Sequence, residues 1–194
     1  MMEIRRAGDR ALLVETPVPH AFDAAVRAAG LPGVEEVVPG ASTVLVVASG
    51  PLDALERALR GLSAGEFTGS GELVEIPVVY DGEDLAEVAG LTGLTVDEVA
   101  ARHCGAEYTV AYLGFSPGFG YLTGGVLDVP RRETPRTRVP AGSVAVAGPY
   151  TAVYPSASPG GWRLLGRTPL TLWDVDRDPP SLLSPGTRVR FQPL

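Results

Sequence analysis

The chain has 194 residues, of which 45% are hydrophobic and 20% charged, with a formal net charge of -7. All 16 basic residues are arginine, which excludes a lysine imine, a P-loop lysine and lysine-linked biotin or lipoate from this chain. One cysteine, Cys104, and two histidines, His20 and His103, exclude an intramolecular disulfide and cysteine-rich zinc sites.

Met2 to Glu15 reads as one strand with a turn at Gly8-Asp9, stopped by Pro17 and Pro19. Phe22, Ala25, Val26 and Ala29 recur at helical spacing, and Gly30 closes that helix. Val34 to Val38 is a short strand before the Pro39-Gly40 turn. Thr43 to Ala48 is continuously apolar, which predicts burial on both faces. Leu52 to Leu62 carries a leucine stripe of helical period. The first third thus reads β-α-β-β-α, a small α/β sandwich of the split-βαβ kind.

A polar, glycine-rich stretch from Ser63 to Glu72 reads as a linker, dividing a domain over 1–72 from one over 73–194. Leu73 to Tyr80 is a strand, and Asp84 to Ala89 and Thr95 to Cys104 are helical, with Thr95 and Glu98 spaced as a capping box. Tyr108 to Leu113 is a strand. Beyond Gly114, glycine and proline punctuate short apolar runs at Val144 to Ala147, Ala152 to Tyr154, Leu170 to Trp173 and Arg188 to Phe191. Dense turn signals between short strands predict a small β-barrel or sandwich, and the fold class is α+β. The acidic balance argues against a nucleic-acid partner. No signal-peptide core and no run of eighteen apolar residues appear, so the expectation is a cytoplasmic protein without a membrane partner.

Four stretches carry chemical information. In Gly114-Phe115-Ser116-Pro117-Gly118-Phe119-Gly120-Tyr121, glycines permit close backbone approach while the rings wall a pocket or fill the core. Arg131 to Pro140 holds Arg131, Arg132, Arg136 and Arg138 against one acid, Glu133. That local reversal of sign, stiffened by two prolines, reads as a site for a small anionic substrate or as a solvated loop. Ala141 to Gly148 is a strand between glycine turns. In Ser158-Pro159-Gly160-Gly161-Trp162, the paired glycines offer backbone amides to an anion, with Ser158 as a candidate hydroxyl; an ordinary Pro-Gly turn has the same composition. Ser158 does not sit in a Gly-x-Ser-x-Gly elbow, which argues against a serine-hydrolase role for it. His103 closes a helix, whose C-terminus favours its charged form, as an acid/base or as a cap.

Taken together and in order, four motifs carry a resemblance: Gly114-Phe115-x-Pro117-Gly118-Phe119-x-Tyr121-Leu122, Pro130-Arg131-Arg132-x-x-Pro135-Arg136, Val139-Pro140-Ala141-Gly142-Ser143-Val144, and Tyr154-Pro155-x-x-Ser158-Pro159-Gly160-Gly161-Trp162-x-x-x-Gly166-Arg167-Thr168. The chain resembles the family of 5-oxoprolinase B subunits, also called the KipI or allophanate hydrolase subunit 1 family, and part of the carboxyltransferase region of urea carboxylase. The resemblance implies an α/β N-terminal domain followed by a cyclophilin-like β-barrel. It implies a homologous partner, the C component, and a lactam-utilisation partner, the A component, together opening 5-oxo-L-proline to L-glutamate with ATP hydrolysis. The chain has no nucleotide motif of its own, so ATP is expected to be bound by these partners or shared with them, and magnesium is left open. In that setting Arg131, Arg132, Arg136 and Arg167 are expected to hold carboxylate or phosphate. The Gly118 and Gly160-Gly161 backbones are expected to offer amides, and His103 to move a proton or orient a partner. The alternatives that the resemblance carries are a KipI-like regulator that inhibits a histidine kinase and a subunit of the allophanate hydrolase or urea carboxylase kind. Tyr150-Thr151-Ala152 stands where the family usually has Gln-Thr-Gly.

Overall fold

A computed structural model describes residues 2–64 and 72–194. The chain divides into two compact units, residues 1–68 and 69–194. The linker read over Ser63 to Glu72 falls largely on residues 65–71, outside the described residues.

In the first unit, β1 (Glu3–Arg6) and β2 (Ala11–Glu15) pair as an antiparallel hairpin. The turn read at Gly8-Asp9 is where the chain reverses, with Gly8 at φ 73°, and the one strand counted over Met2 to Glu15 is corrected to two. α1 (Pro19–Ala29) starts on a proline, whose missing N–H costs nothing in a first turn, and ends at left-handed Gly30. β3 (Val34–Pro39), β4 (Thr43–Ala48) and α2 (Leu52–Arg60) follow. The sheet order is β1-β2-β4-β3 with antiparallel neighbours, so β2 and β3 run parallel with β4 between them. Val44, Val46 and Ala48 of β4 are buried with Leu12, Phe22, Val26, Leu55 and Leu59. Thr43, Leu45 and Val47 on its other face are only half-buried, so burial on both faces is also corrected. An unbroken apolar run on a strand covered from one side alone accounts for the difference.

The second unit contains β5 (Leu73–Val78), α3 (Leu85–Thr92), α4 (Val96–Gly105), β6 (Glu107–Leu113), β7 (Gly120–Thr123), β8 (Arg136–Val139), β9 (Ser143–Ala147), β10 (Tyr150–Val153), β11 (Ser158–Gly160), β12 (Arg163–Arg167) and β13 (Arg188–Pro193). Seven strands form one sheet in the order β12-β9-β10-β7-β6-β13-β5, with β13 and β5 parallel. Val79 and Arg167 exchange two backbone hydrogen bonds of 2.9 Å, which ties the β5 edge to the β12 edge. The sheet is thereby nearly closed and barrel-like, and an edge that would otherwise template aggregation is paired. Ile76, Tyr108, Val110, Leu122, Leu172 and Phe191 are among its core residues. α3 and α4 pack against Val129, Val146 and Leu165. α4 opens with the expected capping box: Thr95 accepts from the Glu98 amide, and the Glu98 carboxylate accepts from the Thr95 amide at 2.8 Å.

Leu170 to Trp173 is not a strand. Leu172 is buried in the core, while Trp173 makes only an isolated bridge to Ser181. The run is apolar because Leu172 fills the core, and Arg177 occupies the carbonyls of Thr171, Leu172 and Pro180. No helix among the described residues is long and apolar enough to cross a membrane.

Candidate functional site

β8 and β11 pair as a two-stranded ribbon, with Ser158 opposite Val139 and Gly160 opposite Arg136. The Arg132 amide donates to the Gly161 carbonyl at 2.8 Å. These bonds fold the arginine stretch onto the paired glycines. A side chain at Gly160 would run into the Tyr154 hydroxyl, so that strand position requires glycine.

Between these segments and the loop before β7 lies a cavity of about 230 Å³. Phe119, Tyr121, Tyr154 and Trp162 wall it, Phe115 lines it, and Arg131, Gly160 and Gly161 bring polar groups. The rings meet edge to face: Phe119 and Trp162 at 5.6 Å and 88°, Phe119 and Tyr154 at 5.4 Å and 83°. Each such pair adds about 1 kcal/mol beyond its buried area. The walls are therefore stiff. Burial pushes the Tyr154 hydroxyl pKa up, against the opposing pull of the Trp162 amide and Arg131, so it stays protonated at neutral pH. The Arg131 guanidinium carbon lies 5.8 Å from the centre of the Trp162 ring. Among the described residues no carboxylate pairs with Arg131. A stiff aromatic cavity with one unpaired guanidinium suits a small flat molecule bearing one negative charge.

Arg132 and Arg136 are used differently, and their expected place in an anion site is corrected. Both bond Asp84, which is 2% exposed: Arg132 at 2.7 Å, and Arg136 through two nitrogens at 2.8 Å each. The Asp84 carboxylate also accepts from the Leu164 amide at 2.7 Å. Burial pushes Asp84 up, but the hydrogen bonds from Arg136 and Leu164 and the charges of both arginines outweigh it and hold it below the usual carboxylate range. The buried carboxylate thus holds Arg136 through two nitrogens and Arg132 through one, while the Arg132 Nε bonds no described group. Arg163, not singled out from the sequence, is buried as well; it donates to the Pro130 carbonyl at 2.8 Å and pairs with Glu87. A more open cleft of about 410 Å³ is lined by Glu87, Arg132, Glu133, Thr134 and Arg163, so both signs of charge line it.

The other expected residues lie outside the aromatic cavity. Arg167 is exposed and pairs with Asp81 at 2.8 Å. Ser158 points its hydroxyl into the protein, where no described group bonds it. Gly118, at φ 77°, is buried against Trp173, whose Cβ would lie 2.8 Å from an added Cβ, so its role is a tight turn and close packing. The reading of His103 is corrected most. Its ring is fully buried against Phe191 and Tyr108, with Tyr80 Oη 2.8 Å from Nδ1 and Thr151 Oγ1 3.3 Å from Nε2. Burial pushes it down to about 3, so it is neutral, and the charged form expected from the helix terminus does not exist at neutral pH. Of the expected site residues, the structure brings Arg131, Gly160 and Gly161 together. Asp84 carried one sequence signal only, its place just before a helix.

A family model described as carboxyltransferase domain, subdomain C and D, matches residues 2–183. A protein of Escherichia coli O157:H7 named as the B subunit of 5-oxoprolinase is 47% identical over 180 residues, covering 87% of this chain and 82% of its own. One of the same name from Bacillus subtilis is 35% identical, covering 97% of this chain and 91% of its own. The crystal structure of a protein called TTHA0988 superposes with a TM-score of 0.82 at 39% identity, covering 95% of this chain. This chain spans only 40% of that longer one.

Proposed function

The chain belongs to the carboxyltransferase-domain family, subdomain C and D, and on that premise we propose that it is the B subunit of an ATP-dependent 5-oxoprolinase. Its relatives of that name support the reading. The observation that carries the chemistry is the unpaired Arg131 beside the aromatic cavity. 5-Oxo-L-proline is a small, flat lactam with one carboxylate. One guanidinium matches one carboxylate and offers it a forked pair of charge-assisted bonds. The rings match the lactam face and keep water from it.

A lactam amide is a poor electrophile, and opening it calls for conversion of its oxygen to a leaving group. The aromatic cavity does not suit the nucleotide: one unpaired guanidinium faces it, against the several charges of a triphosphate. Among the described residues no cluster of three metal-ligating side chains exists. On this reading ATP is held by the A and C components or shared with them, and this chain binds and orients the substrate and is silent alone.

The test is reconstitution. This chain, mixed with candidate A and C components, should release L-glutamate from 5-oxo-L-proline only with ATP and only when all three proteins are present. No release with any such partner would overturn the reading.

A further inference from the structure

Ten described residues have positive φ, and nine of them are glycine; the exception is Phe115, at φ 66°. The Ser116 amide donates to the Gly114 carbonyl at 2.7 Å, which makes Phe115 the centre of a γ-turn. With positive φ at the centre, that turn is the rare, strained form. The Phe119 amide then donates to the Ser116 carbonyl at 3.0 Å, with Pro117 and left-handed Gly118 at the corners of a type II turn. The second turn has the residues its geometry favours; the first does not.

Core packing does not explain the exception. Phe115 is 61% exposed, against 1% for Phe119 four residues on. Its ring meets Phe119 edge to face at 5.2 Å and 67°, and Tyr154 at 6.4 Å and 84°, on the cavity. A glycine would satisfy the backbone at this position with less strain, yet would leave the cavity without that wall. Strain held where it brings no core burial points to a function of the side chain.

We infer that Phe115 is a specificity-determining residue whose ring covers the face of a small cyclic ligand and so favours the closed lactam over its open-chain product. The inference rests on the proposed reading of the cavity as the 5-oxo-L-proline site. An apolar ring face gains from an aromatic edge. Open-chain L-glutamate, with two carboxylates and an ammonium, offers no such face and carries its hydration with it. Release of product follows from the same preference.

Three measurements test it, two on the isolated chain and one on the assembled complex. In urea unfolding, Phe115→Gly should be more stable than Phe115→Ala, with an unfolding constant smaller by about fivefold, because only glycine relaxes the positive φ. Equal stability would remove the strain and overturn the inference. In titrations of the isolated chain with 5-oxo-L-proline, followed by NMR shifts of the Trp162 indole, Phe115→Gly should bind about fivefold more weakly and Phe115→Tyr like the parent. In the complex Phe115→Gly should raise KM for 5-oxo-L-proline by that factor, with kcat and inhibition by L-glutamate unmoved. A parent chain that binds the lactam without the complex turning it over would sink the enzyme reading and keep this one. A parent chain that does not bind, or a glycine variant that binds as well, would overturn the inference itself.

Discussion

Arg131 and Arg132 are neighbours in the chain and opposite in use. Arg132, with Arg136, is drawn inward by the buried carboxylate of Asp84. Arg131 lies over Trp162 at the wall of the aromatic cavity with no described acid to pair it. A cluster of arginines therefore does not declare an anion site. What decides is whether a buried carboxylate elsewhere in the chain has already neutralised it, and here Asp84 has done so for two of them. Of the two left over, Arg131 and Arg138, Arg131 is the one that lines the aromatic cavity and can meet a ligand there.

The largest effect expected from this contrast is on folding. Asp84→Ala takes from Arg132 and Arg136 their one buried acid, leaving them only the exposed Glu87 and Glu83, and should cost about 3–5 kcal/mol in urea unfolding. A loss below about 1 kcal/mol would mean that the arginines are not held by Asp84 and are open to ligand. Arg131→Ala should behave in the opposite way. Its folding should change by less than about 1 kcal/mol, since only an exposed cation–π contact goes. Its KM for 5-oxo-L-proline in the assembled complex should rise by a factor corresponding to about 1.5–3 kcal/mol, the range of a charge-assisted bond.

His103 sharpens the comparison through pH. Its folded pKa is depressed by burial to about 3, so the fold binds the neutral ring. Stability from this group is complete above the ordinary histidine value near 6.5 and falls as pH drops from there toward 3, because the unfolded chain takes up a proton that the fold refuses. The folding equilibrium should lose about tenfold per pH unit in that window, and His103→Gln should lose that part of the slope. An unchanged slope in the variant would show a titrating, accessible histidine. The smallest effect belongs to Arg167→Ala. Its exposed pair with Asp81 should be worth under about 1 kcal/mol, with turnover of the complex unaltered.

What could be read in the sequence was local. The helix stripes, the Thr95–Glu98 box and the strand from Ser143 to Ala147 between left-handed Gly142 and Gly148 depend on residues a few positions apart. The strands hidden in the informative stretches did not show. β7 begins at a glycine, β8 consists largely of arginine and threonine, and β11 is Ser-Pro-Gly, so each reads as a turn until its partner is known. The aromatic wall was partly legible in Phe115, Phe119 and Tyr121. The fate of the arginines was not, because Asp84 lies 48 residues from Arg132 and 52 from Arg136. Burial of His103 was hidden likewise: Thr151 and Phe191 reach it from distant strands.

The most direct test of the central claim compares Arg131→Ala with the parent in the assembled complex, using 5-oxo-L-proline and its carboxamide as paired substrates. If Arg131 receives the carboxylate, the parent prefers the acid and the variant loses that preference while remaining as well folded. A variant that keeps the full preference for the acid would contradict the account.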